Sequence, residues 1–231
     1  KAPKENGIHK WTWYMDEKGV SGPSRSISKR KSEPSGVKVK PGSYKVELSY
    51  GNLKSETNIE IKSDPRLDKS TNAISEVYDT SKEIEQLKET AGKAVNQLNE
   101  SKAIADAYGK KLNELDKEKF KSEIDKSKEI SKKITKLVAI YIGKEDKRQG
   151  ITSDTIVNVN QRIGNANRYI RSRQNGITNT ETILFDQAKD ALNDALNKTN
   201  LFFKDEWGTY KDTMEKLDLS PFKKTKEFSL D

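Results

Sequence analysis

The chain has 231 residues, of which 32% are hydrophobic and 35% are charged, and its net charge is +8. It contains no cysteine, which excludes disulfides and thiolate chemistry, and one histidine, His9, on which any histidine metal site or catalytic triad would have to rest. No run of 18 apolar residues occurs, so we predict no transmembrane segment. The mixed charges and periodic apolar residues indicate an elongated helical protein rather than a disordered one.

The excess positive charge lies in the first part of the chain. Residues 1–65 hold 13 basic and 8 acidic residues, whereas residues 66–231 hold 31 basic and 28 acidic residues. The excess is concentrated in residues 25–40, which contain no aromatic side chain. Surfaces that bind nucleic acid usually interleave basic and aromatic residues. We therefore expect a solvated loop and no nucleic-acid partner, with an anionic partner as the alternative.

Three segments before residue 65 have strand-like patterns. Residues 8–14 are rich in β-branched and aromatic side chains, and Trp11 and Trp13 share one face. Residues 44–48 and 57–61 alternate between apolar and polar, and Gly51 lies between them, which predicts a β-hairpin.

Three strands are fewer than the about seven of an Ig-like sandwich. We predict that residues 1–65 are an Ig-like β-sandwich portion that is incomplete at its N-terminus, with its first strands upstream of Lys1. A small sheet of three or four strands packed on the helices is the alternative.

Helical periodicity begins after Asp64-Pro65 and predicts four helices. The first covers about residues 70–108, and its heptad positions are Val77, Ile84, Ala91, Leu98 and Ala105. Asp116 is the predicted N-cap residue of the second helix. Short connections favour antiparallel neighbours.

We predict that Ser153 or Asp154 caps the start of the third helix, that Ile156 faces inward, and that Asn175-Gly176 ends the helix. The fourth begins at Asn179 or Thr180 and ends at Ser220-Pro221. A tail with Phe222 and Phe228 is expected to dock on the bundle or the sheet. The predicted fold class is α+β and mostly α: a partial Ig-like β-sandwich followed by an elongated antiparallel four-helix bundle with a C-terminal tail, residues 66–231.

One polar cluster, from Lys144 to Arg173 in the third predicted helix and the connection before it, is a candidate contact surface. Five of the eight arginines of the chain belong to it: Arg148, Arg162, Arg168, Arg171 and Arg173. Guanidinium groups bind carboxylates and phosphates in a bidentate manner. Ion pairs with acidic residues of the first two helices are the structural interpretation. An anion-, sugar- or protein-binding surface is the functional one.

No catalytic constellation is evident, and we predict no cofactor and no metal site. Asp186 and Asp190 lie one helical turn apart and could in principle act as a glycosidase pair. The same spacing is equally typical of solubilising residues on a charged helix face. The interpretation favoured here is a non-catalytic module.

Several motifs together resemble one protein family. They are Trp11-x-Trp13, Gly22-Pro23, the run Val39 to Leu48 with Pro41-Gly42-Ser43-Tyr44, Ile59-x-Ile61, Asp64-Pro65-Arg66 and Tyr169-Ile170-x-Ser172-Arg173-Gln174-Asn175-Gly176. The chain resembles, over nearly all its length, the C-terminal region of large Bacteroidota proteins with BNR-repeat, sortilin-like (VPS10-like) β-propellers, often labelled glycosyl hydrolases.

The resemblance implies an accessory or scaffolding C-terminal module of an exported, periplasmic or cell-surface protein. Its partners would be the upstream β-propellers of the same polypeptide, and cell-surface or outer-membrane proteins. An anion- or glycan-binding module that uses the arginine cluster is one alternative. A part of a glycoside hydrolase whose active site lies in the upstream propellers is another.

Overall fold

A computed structural model describes residues 7–26, 32–66, 71–145, 156–217 and 219. The predicted class is confirmed, since the described chain is α+β and mostly helical. In chain order the elements are β1 Asp16–Lys18, β2 Ser35–Lys38, β3 Gly42–Tyr50, β4 Leu53–Ile61, α1 Thr71–Asp116, α2 Lys121–Ile142, α3 Val159–Arg171, α4 Asn179–Phe202, a π-helical turn Phe203–Trp207 and α5 Gly208–Glu215.

Helix α1 is the longest element and has 46 residues, which corresponds to about 69 Å. Four of the five predicted heptad positions are buried, and Val77 packs against the same core. Val95 and Leu112 add two buried side chains that the predicted seam did not include. The helix therefore continues past the predicted end at residue 108, because its apolar stripe continues.

Helix α2 runs back along the C-terminal half of α1, where a Cβ added at Gly109 would lie 3.3 Å from Cβ of Ser127. The prediction that Asp116 is its N-cap is wrong, since Phe120 occupies that position. Asp116 instead ends α1, and its carboxylate accepts a hydrogen bond from the amide of Lys119 at 3.0 Å. The acidic side chain thus stabilises the turn between the helices.

Helix α3 starts later than predicted. Its N-cap is Asn158, whose side chain accepts from the Gln161 amide at 2.9 Å while the Gln161 side chain accepts from the Asn158 amide at 3.0 Å. Ile156 lies before the helix and is 70% exposed, so its predicted inward position is wrong. The predicted caps Ser153 and Asp154 lie outside the described residues.

Helix α4 begins at Asn179 as predicted and continues through the π-helical turn into α5. The amide of Ile177 donates to Glu76 at 3.2 Å, so α4 begins beside the first turns of α1. At the other end, the Tyr210 and Ser127 hydroxyls are 3.0 Å apart and buried. Helices α1 and α4 therefore run in the same direction and α2 runs opposite. The predicted end at Ser220-Pro221 and the tail with Phe222 and Phe228 lie outside the described residues.

Two antiparallel sheets of two strands each precede the helices, one formed by β1 and β2 and the other by β3 and β4. The predicted hairpin is confirmed, with Tyr44 opposite Ile59 in the register, and Gly51 at φ 56° in its turn. The prediction of a strand over residues 8–14 is wrong, because this segment lacks ladder pairing. An alternating pattern favours a strand only when a neighbouring strand can supply hydrogen bonds.

Residues 19–26, which we call the strap, lie against the helices, and five of these eight residues are buried or half-buried. Asn99 donates to the carbonyl of Ser24 at 2.9 Å. The Arg25 guanidinium donates to the carbonyl of Gly143, just past the C-terminus of α2, at 3.0 Å. The predicted solvated loop over residues 25–40 is wrong for β2, whereas Arg25 is exposed although it contacts the end of α2, and residues 27–31 lie outside the described residues. The predicted boundary between residues 65 and 66 stays a prediction.

Candidate functional site

The β3–β4 hairpin has one charged side and one apolar side. On the charged side, Lys45 pairs with Glu56 at 2.7 Å and Lys54 with Glu47 at 3.2 Å. On the other side lie four apolar side chains that are 42–78% exposed, which we call the hairpin face: Val46, Leu48, Tyr50 and Leu53. Within the described ranges, no element covers this face.

The hairpin face continues into an exposed aromatic segment, residues 8–15. The Trp13 ring meets the Tyr44 ring edge-on at 5.8 Å, and its indole N–H donates to the carbonyl of Asp16 at 2.9 Å. Trp11 is nevertheless 55% exposed and Tyr14 68% exposed. Contiguous apolar surface of this kind is typical of sites that contact a protein, a membrane or a ligand.

A second candidate site is a cleft of about 230 Å³ between β2, the first turns of α1 and the end of α3, which we call the basic cleft. The described residues that line it include no acidic side chain. Its four cationic side chains are Lys38, Lys40, Arg171 and Arg173. Its floor is apolar, because Val37 and Val77 contribute to it beside the Tyr78 ring.

The position of the cleft is set by contacts between β1 and α1. The Tyr78 hydroxyl donates to the Glu17 carboxylate, and Lys82 donates to the same carboxylate at 2.9 Å. The Lys82 ammonium first, and then the Tyr78 hydroxyl, lower the pKa of Glu17. The same carboxylate raises the pKa of Lys82. This ion pair fixes the small β1–β2 sheet beside the first turns of α1.

The structure separates the arginines that the sequence grouped together. Arg171 and Arg173 meet at the basic cleft. Arg162 lies elsewhere, with its guanidinium 3.3 Å from the Gln187 side-chain oxygen. Arg168 is exposed, donates to Asn165 at 3.1 Å and lies over the Tyr169 ring at 5.7 Å. Arg148 lies outside the described residues.

Only Arg173 in this group has a carboxylate partner within the part of the chain that the structure describes. It donates to Glu181 at 2.8 Å, and the amide of Thr178 donates to the same carboxylate at 3.0 Å. The Glu181 side chain is fully buried. The Arg173 guanidinium, followed by the Thr178 hydroxyl, lowers the pKa of Glu181 to about 2. The predicted partners on the first two helices are therefore wrong for Arg173, whose acid belongs to α4.

Asp186 and Asp190 lie on the exposed side of α4, away from both candidate sites. Among the described residues, no group of three or more His, Asp or Glu side chains could hold a metal ion. In the same residues, no helix combines the length and the apolar character that crossing a membrane requires.

Comparison with known proteins gave no match: no family model, no curated protein and no solved structure matches the chain. The resemblance to the C-terminal regions of β-propeller proteins stays a prediction.

Proposed function

We propose that this chain is a non-catalytic accessory module of a larger exported β-propeller protein. Its role is to hold other domains or proteins in place through the hairpin face and the aromatic segment. The partners are the propellers that precede Lys1 in the same polypeptide, and the location is the periplasm or the cell surface. The observation that carries the proposal is the uncovered apolar side of β3–β4.

The exposure of the hairpin face supports a contact role on energetic grounds. Burying apolar surface contributes roughly 25 cal/mol per Å². A side chain such as Tyr50, at 78% exposed, has most of this contribution still to gain. The charged side of the same hairpin already forms its ion pairs, so the apolar side is the one that a partner would cover.

For the architecture we propose an incomplete Ig-like β-sandwich followed by an antiparallel four-helix bundle. The hairpin supports the first part, because one apolar side is what a strand pair of a sandwich presents to the opposite sheet. The directions of α1, α2 and α4 support the second part. A partner that supplies the missing strands would both complete the sandwich and cover the hairpin face.

The test measures association between this chain and the polypeptide that precedes it in the parent protein, by isothermal titration calorimetry. Leu48→Glu places a charge on the hairpin face and is expected to weaken association at least about tenfold, since a buried unpaired charge costs several kcal/mol. Asn58→Glu is the matched control, because Asn58 lies opposite Lys45 on the charged side. Absence of association, or equal losses in both variants, contradicts the proposal.

A further inference from the structure

The basic cleft is separate from the hairpin face and has no role in the contact function proposed above. Strand β2, α1 and the end of α3 form its walls. Its volume of about 230 Å³ is below the roughly 300–1,000 Å³ of pockets for drug-sized ligands, so an occupant must be compact.

The cationic side chains of the cleft differ in whether they already have a hydrogen-bonding or ionic partner. Arg173 is held by the buried Glu181 carboxylate. Lys40 lies 4.5 Å above the Tyr78 ring and 3.5 Å from the Asp79 carboxylate. Lys38 donates to the carbonyl of Tyr14 at 2.6 Å.

Arg171 stands apart from these three cations. Its side chain makes no hydrogen bond or ion pair with any residue that the structure describes. With respect to the described residues, its guanidinium donors are therefore all available for a bidentate contact.

Because the floor of the cleft is apolar, a purely ionic ligand is not the best fit. Val37 is 7% exposed, and Val39, Ile74 and Val77 continue the apolar surface beneath the cations. A sulfate or phosphate ion would accept hydrogen bonds from Arg171 but would leave this apolar surface in contact with water. An ammonium group would find no carboxylate among the described lining residues, so an amino-acid zwitterion fits poorly.

We propose that the basic cleft binds a carboxylate that carries a compact branched apolar group. Arg171 binds the carboxylate, and Val37, Val39 and Val77 contact the apolar group. The carboxylate belongs either to a free small organic acid or to an acidic side chain beside an apolar residue of a peptide. Arg162 and Arg168 take no part, because they lie outside the cleft.

The test titrates the full chain with 4-methylpentanoate and follows the amide and arginine side-chain signals by NMR. We expect saturable shifts at residues of the cleft, with an affinity at least about tenfold higher than that of acetate, because the apolar floor adds several buried CH₂ equivalents. Arg171→Gln is expected to lower the affinity about tenfold or more, because it removes a charged hydrogen-bonding partner.

Arg168→Gln is the matched control, since it removes an arginine from the same helix and leaves the cleft intact. Equal melting temperatures of both variants establish that a loss of binding is not a loss of fold. A blocked peptide with one glutamate between two leucines tests the second source, and whichever probe binds more tightly identifies it.

Three outcomes overturn the proposal. In the first, neither probe shifts the signals of the cleft. In the second, acetate or sulfate binds as tightly as 4-methylpentanoate. In the third, Arg171→Gln and Arg168→Gln bind equally well. None of these outcomes bears on the hairpin face, so failure of one proposal is distinguishable from failure of the other.

Discussion

In α1, Leu98 and its heptad neighbours are almost fully buried, whereas in β3 the equivalent apolar positions, Val46, Leu48 and Tyr50, are 42–78% exposed. Both elements are amphipathic with the period that suits their secondary structure. The difference is that α1 packs against three helices, whereas the apolar side of the hairpin has no described helix to pack against. Two-stranded hairpins are marginal in water, so this hairpin depends on whatever covers it. An amphipathic pattern therefore specifies a helix or a strand, but it does not specify what that helix or strand packs against.

The largest expected change in stability comes from a substitution in α1, and the matching substitution in the hairpin should have almost no effect. Leu98→Ala removes a side chain that is 0% exposed, and we expect it to lower the free energy of unfolding by ~2–5 kcal/mol. Leu48→Ala removes an exposed one and should change it by less than ~0.5 kcal/mol. Urea denaturation followed by circular dichroism measures both. A comparable loss in Leu48→Ala would mean that the hairpin face is covered in solution.

An intermediate effect is expected where the strap touches α1. A Cβ at Gly92 would lie 2.6 Å from the carbonyl oxygen of Ser21, so Gly92→Ala must displace the strap. We expect the free energy of unfolding to fall by ~1–3 kcal/mol, because displacing the strap costs more than the ~1 kcal/mol that alanine gains in helix propensity.

Gly164 in α3 provides the control for this substitution. A Cβ there meets nothing within 4 Å, so Gly164→Ala should stabilise the protein by ~0.5–1 kcal/mol. Thermal denaturation of both variants distinguishes them. Stabilisation by both would show that the strap is not attached to α1.

The smallest expected effect depends on pH. The pKa of Glu181 is lowered to about 2 from an ordinary value of 4.5, so its ion pair stabilises the fold fully above about pH 4.5. That contribution is lost as the pH falls from 4.5 towards 2. Glu181→Gln should therefore melt roughly 3–6 °C below the unmodified chain at pH 7, and the difference should shrink at pH 2–3.

Glu83→Gln, at an exposed position of α1, is the control for this experiment. It should leave the melting temperature nearly unchanged at both pH values. A difference for Glu181→Gln that does not vary between pH 7 and pH 2–3 would contradict the assigned ion pair. The hairpin, whose ion pairs are exposed, should contribute little to this pH dependence.

The sequence predicted those features whose signals are local. Heptads predicted α1, and alternation on both sides of Gly51 predicted the hairpin. The late start of α3 could also have been predicted, because Asn158 and Gln161 have the spacing of a capping box. Thr178 and Glu181 repeat that spacing at the start of α4, which places a carboxylate next to Arg173.

The basic cleft could not be predicted in the same way. Val37, Tyr78 and Arg171 come from three elements far apart in the sequence, and only tertiary packing brings them together. The segment at residues 8–14 shows the opposite error. Its composition is typical of a strand, but composition does not supply the hydrogen-bonding neighbour that makes a strand.

The strap also constrains the order in which the protein folds. Arg25 contacts the carbonyl of Gly143, which is 118 residues away in sequence, and Asn99 contacts Ser24. Closing so long a loop is entropically costly until other contacts have shortened it, and pairing of α1 with α2 does so. The strap leaves the ribosome before either helix is complete, but the full set of its contacts needs Asn99 of α1 and Gly143 after α2 to lie side by side. We therefore expect a segment that is synthesised early to be among the last to reach its native position.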